Sequence, residues 1–119
     1  MTALSSQLRD LIIETAEETA GVGTLEETTK WGQPSFAPKV PKTGSPIRLQ
    51  NNNDGTSSLM FICTTNLVEG FRAQYGDQLN LIGNREIRVT KLNGGTTPAL
   101  KHCVAQALTY HLSKRAAKT

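Results

Sequence analysis

At 119 residues the chain has the length of a single domain, enough to bury a core without disulfide or metal staples. Hydrophobic residues at 37% and charged residues at 19% exclude a disordered or fibrous chain, and the longest apolar run, Leu59-Met-Phe-Ile-Cys63, falls far short of the ~18 residues of a membrane-spanning helix. The net charge of +3 hides a division, because residues 1–29 hold six acids against Arg9 and carry −5 while the remainder carries +8. Such asymmetry bears on partners and solubility rather than on fold.

Leu4, Leu8, Leu11 and Ile12 fall at i, i+4, i+7 and i+8, which predicts an amphipathic first helix. Asp10, Glu14, Glu17 and Glu18 form a second stripe on the same helix, and Gly21 and Gly23 stop it. Residues 25–31 are Thr-rich and end in Trp31, which favours a strand. Gly32-Gln-Pro34 ends that strand, since proline lacks a ladder donor. Residues 37–44, with Pro38, Pro41 and Gly44, suit a loop or a ragged edge strand.

Ile47 and Leu49 alternate with Arg48 and Gln50, and after Asn51-Asn-Asn-Asp-Gly55 the chain resumes at residues 59–63, predicting a hairpin. The second strand of that hairpin is apolar at both parities, so both of its faces call for cover. Either a short helix shields the second face or another copy of the chain does. That short helix is predicted from the Asn66/Glu69 capping pair and from Leu67, Val68, Phe71 and Tyr75 at helical spacing before Gly76. Residues 79–84 and 85–90 make a second strand pair, and Asn93-Gly-Gly95 breaks it. Thr97-Pro98 opens a last helix whose buried face is Leu100, Cys103, Val104, Ala107, Leu108 and Leu112. Lys114, Arg115 and Lys118 then complement its carbonyl end.

Helix, strands interrupted by one short helix, then helix, without βαβ alternation, predict a single α+β domain: a two-layer sandwich with a mainly antiparallel sheet of about five or six strands against the N- and C-terminal helices.

Few residues carry chemistry. The carboxylates of Asp10, Glu14, Glu17 and Glu18 lie at spacings that can face one hydrated hard cation at weak affinity, although an acidic stripe also serves as a plain solvated helix face. His111 falls on the apolar stripe of the last helix and His102 points the other way. No Cys-x-x-Cys or His-x-x-x-His spacing accompanies them, so His111 reads as a hydrogen-bonded core residue. Cys63 and Cys103, without an export signal in Met1-Thr-Ala-Leu-Ser-Ser, read as reduced thiols of a cytoplasmic protein. Trp31 serves either as core or as a partner anchor. Lys30, Arg48, Arg88 and Lys91 can share one sheet face, a basic surface suited to phosphates or to an acidic protein. No stacking aromatics accompany them as RNA recognition would require. Gly21-Val-Gly-Thr24 lacks the Gly-Lys-Ser/Thr of a phosphate loop, and no serine has a His and an acid placed beside it.

Trp31-Gly-Gln-Pro-Ser-Phe36, behind an acidic amphipathic helix, resembles the Trp-Gly-x-Pro-x-aromatic signature of the YdhG-like family of small bacterial domains of unknown function. Gly83-Asn-Arg-Glu-Ile-Arg-Val89 and Leu108-Thr-Tyr-His111 resemble the same family, so the likeness runs from about Leu8 to about Leu112. The resemblance implies a frataxin-like two-layer fold and, for a few relatives, intracellular iron delivery. Carried over by region, loosely held iron would fall on Asp10, Glu14, Glu17 and Glu18, with Glu26 and Glu27 on the strand that follows. The expectation is a small non-enzymatic binding or accessory domain of frataxin-like, weakly iron-binding type. The alternative is a protein-interaction module that uses the open sheet face through Arg48 and Arg88, with a homodimer through that sheet as one form of it.

Overall fold

The computed structural model describes residues 3–19, 22, 24–30, 33–40, 44–52, 54–62, 67–83, 85–92 and 96–110. Trp31 and Gly32, Gly21, Cys63, Asn66, the 93–95 break, His111 and the basic residues 114–118 lie outside these residues. The first helix, α1, spans Ala3–Glu18. Strands β1 (Thr24–Lys30), β2 (Gln33–Val40), β3 (Ile47–Asn51) and β4 (Ser57–Met60) follow, then α2 (Leu67–Tyr75), a short 3-10 turn at Gly76–Gln78, β5 (Asn80–Ile82), β6 (Glu86–Val89) and α3 (Thr96–Leu108). The strands form one antiparallel sheet in the order β1-β2-β3-β4-β6-β5. This is the expected α+β sandwich, with helices at both ends of the chain packed on one side of the sheet.

The periodicities explain the layers. Leu8, Leu11, Ile12 and Ala16 of α1 are buried, as are Ala99, Leu100, Cys103, Val104, Ala107 and Leu108 of α3. They join Phe36, Ile47, Leu49, Leu59, Ile87 and Val89 in one cluster. These sheet residues share a face by register, since Phe36 opposes Ile47, Leu49 opposes Leu59, and Leu59 opposes Ile87. Phe61 has the parity of Leu59 and meets Phe71 of α2 edge-on at 5.2 Å between ring centres. The short helix therefore joins the other two helices, and among the described residues no helix covers the second sheet face.

That face needs less cover than the run 59–63 suggests. Of the apolar residues of β4 only Met60 has outward parity, and it is already buried between Arg48 and Glu86, its register partners. Ile62 lies beyond the strand and is exposed.

Residues 33–40 depart from expectation. They form a full strand with β1 on one side and β3 on the other, although Pro34 and Pro38 lie within it. The reason is the short contact with β3, which among the described residues is only Ser35 opposite Arg48 and Phe36 opposite Ile47. Pro34 and Pro38 flank that stretch, so their missing donors fall where β2 has a ladder on one side alone. The β3–β4 turn is closed by Gly55 at φ +88° and by Asp54 Oδ1, which accepts from the Thr56 amide at 3.1 Å and hydroxyl at 2.6 Å.

Candidate functional site

All four acids of the α1 stripe are exposed, but the tertiary structure divides them. Lys101 of α3 places its Nζ 2.9 Å from Glu14 Oε1 and 2.6 Å from Glu18 Oε1. Hydrogen bonds to Glu18 and then Glu14 hold its ammonium above the ordinary lysine range. Asp10 lines a cleft of about 230 Å³ with Glu14 and Lys101, whereas Glu17 faces the other flank of the helix, beside Arg9 and Glu27. A protein cation thus occupies the position between Glu14 and Glu18 where a metal ion would sit. Among the described residues no three His, Cys, Asp or Glu side chains converge as a ligand set.

The open sheet face is built differently. Arg48, Gln50, Ser58, Met60, Glu86, Arg88 and Asn80 share it by register, and Gln33 and Ser35 of β2 continue it. Their side chains form a hydrogen-bonded chain across the sheet. Gln33 Nε2 donates to Gln50 Oε1 at 3.2 Å, and Gln50 Nε2 donates to Asn52 Oδ1 at 2.8 Å. Asn52 Nδ2 reaches Thr56 Oγ1 and Ser58 Oγ, each at 2.9 Å. The Ser58 hydroxyl then donates to Glu86 Oε2 at 2.7 Å, and Arg88 Nε donates to the same oxygen at 3.2 Å. Ser35 and Ser58 are buried beneath this layer, since short side chains at alternate positions let the long ones lie flat over them. A connected network of this kind holds its members in fixed orientations.

Arg48 and Arg88 therefore do lie on one face, on strands separated by β4. Lys91 follows β6 and is exposed, and the Lys30 side chain is outside the description. Sequence reading missed Gln33, Gln50, Asn52, Ser58 and Glu86. The available signal was parity, because Gln50 and Ser58 alternate with the apolar Leu49 and Leu59 as Arg48 and Met60 do. It also missed Lys101, which meets Glu14 across 87 positions of chain.

The other titratable groups are engaged structurally. Cys103 is fully buried, and desolvation pushes its thiol up to about 12, so it is protonated and inert at neutral pH. His102 is exposed and packs edge-on against Tyr75, whose hydroxyl is hydrogen-bonded to its Nδ1. Burial, and secondarily Cys103, raises the Tyr75 phenol above its ordinary value. No described helix is long and apolar enough to cross a membrane.

Compared with known proteins, the chain matches no family model, no curated protein and no solved structure.

Proposed function

We propose that the chain is a small, cytoplasmic, non-enzymatic binding domain whose working surface is the open face of the sheet, and that its partner is an acidic protein surface. The observation that carries this reading is the placement of all three described helices on one side, which leaves Arg48 and Arg88 on a polar face held in shape by the network from Gln33 to Arg88. A preformed face of donors and acceptors loses little side-chain freedom on association, which favours binding. The positive balance of residues 30–119 agrees with an acidic partner. The YdhG-like motif supports an accessory role without choosing a ligand.

The test compares wild type with Arg48→Glu plus Arg88→Glu as bait, using cross-linking and mass spectrometry of captured proteins. Loss of an acidic partner cross-linked at the sheet face supports the reading, and identical recoveries overturn it. Light scattering at micromolar concentration separates a heterologous partner from a second copy of the chain, since a monomeric mass removes the homodimer.

Iron binding on Asp10, Glu14, Glu17 and Glu18 is the second reading. Exposure of all four carboxylates favours it, and the engagement of Glu14 and Glu18 by Lys101 weighs against it.

A further inference from the structure

Where α1 crosses the β1–β2 hairpin it leaves a cleft of about 360 Å³. Its walls are Ile13 and Ala16 of α1 with Val22 and Leu25, and Phe36 forms the floor. The volume lies at the lower end of the roughly 300–1,000 Å³ typical of ligand sites, and the lining is the apolar kind such sites use. Charge is confined to the rim. Arg9 Nη2 meets Glu27 Oε1 at 2.7 Å, and Glu17 adds a second carboxylate against this one guanidinium. The mouth is therefore acidic, within the part of the chain that carries −5.

The outer lip of the cleft is β1. This strand pairs with β2 along all of Thr24–Lys30, and it stands at the edge of the sheet, with no strand on its other side among the described residues. Residues 26–29 are exposed. An edge of this length offers a row of main-chain donors and acceptors to an incoming strand. Leu25 and Glu27, which line the cleft, have the parity that faces the helices, opposite Pro38 and Phe36. A strand added to β1 would direct alternate side chains to the same side.

We propose that the β1 edge and this cleft together bind an extended basic peptide segment, with an apolar side chain in the cleft and a lysine or arginine at the Glu17/Glu27 rim. An edge with no described strand beside it favours a peptide over a small molecule, which would use the cleft alone. The surplus carboxylate sets the charge of the partner. This site is independent of the open sheet face, so either can fail without the other.

The test uses the full chain and an acetylated, amidated lysine–leucine peptide matched in length to β1, in which leucine and lysine occupy successive alternate positions with serine between them, so that both side chains fall on the cleft side. The comparison probes are its glutamate–leucine counterpart, a version N-methylated at alternate residues, and hexylammonium. The lysine–leucine peptide is expected to shift the amides of Leu25, Glu26, Glu27, Thr28 and Thr29 and the methyls of Ile13. The glutamate and N-methylated peptides should bind roughly tenfold more weakly or worse. Glu17→Lys on the exposed helix surface should weaken the lysine peptide by about the same factor, and Ile13→Trp should block the cleft. Equal affinity for acidic and basic peptides, hexylammonium binding as tightly as the peptide, shifts confined to Arg48 and Arg88, or no shift at millimolar peptide would each overturn the proposal.

Discussion

Gly44 is the position where the fold leaves no room for a side chain. The Gly44–Ser45 segment lies buried against the end of α3, and the Ser45 amide donates to Ala107 O at 2.8 Å. A methyl built on Gly44 lands well inside van der Waals contact of the Leu108 carbonyl and the Ala107 oxygen. These are backbone atoms of a helix and cannot swing aside, so Gly44→Ala forces the loop away by about 1 Å, enough to forfeit much of the local contact energy. The retreat stretches the Ser45–Ala107 bond, at about 1 kcal/mol, and adds an overpacking cost of about 1–3 kcal/mol. The sum is about 2–4 kcal/mol, and at about 4 °C per kcal/mol for a domain of this size the melting midpoint should fall by roughly 8–16 °C. Calorimetry on the purified variant, with circular dichroism to confirm native helix content at low temperature, reads this directly. A midpoint within about 2 °C of wild type would show that the loop does not dock on the helix end as described.

Three further outcomes are expected. Gly70→Ala, inside α2 with open space around the new methyl, should stabilise the domain by about 0.5–1 kcal/mol in urea unfolding, and a loss of stability would contradict the helix boundaries. Lys101→Ala releases Glu14 and Glu18; if α1 binds iron, anaerobic titration with ferrous iron should broaden the amides of Asp10, Glu14, Glu17 and Glu18 more in the variant than in wild type, and unchanged spectra of both at millimolar iron would sink the iron reading. Asp54 is held below its ordinary 3.8 first by the Thr56 hydroxyl and then by the Thr56 amide, so its support for the β3–β4 turn is present above that value and is lost as pH falls through the depressed one. The Thr56 amide resonance, followed on acidification, should therefore move later than a model-peptide aspartate titrates, and a transition at the ordinary value would refute the turn geometry.

The helices were readable because each buries one stripe. Leu8, Leu11 and Ile12, or Leu100, Cys103, Val104 and Ala107, recur at 3.6-residue spacing whatever they pack against. Strands β3 and β6 were readable by alternation for a similar reason. Strand β2 was obscured by Pro34 and Pro38, whose tolerance depends on how little of β2 touches β3, a fact about neighbours rather than about local sequence. The side of the sheet taken by α2 was equally hidden, since Val68 and Phe71 mark a buried face without naming what buries it. For the candidate sites, the pattern put Arg48 and Arg88 on matching parities. It could not show that Lys101 would cross from α3 to the acidic stripe, or that Gln33, Gln50, Asn52, Ser58 and Glu86 would link hands over the sheet, because such pairings depend on strand order and helix placement.

The narrow seam between β2 and β3 bears on how the molecule comes apart. With Ser35 and Phe36 as the described rungs of that ladder, the described residues of the β1–β2 hairpin are joined to β3 by few backbone bonds, and Phe36 is their largest fully buried side chain. Segments fastened this lightly open below the global unfolding free energy, as one cooperative piece. The hairpin is then a separable unit of exchange: the amides of β1 and β2 trade their hydrogens together while those of β4 and α3 stay protected, and the burial of Phe36 raises the free energy at which this part of the sheet lets go.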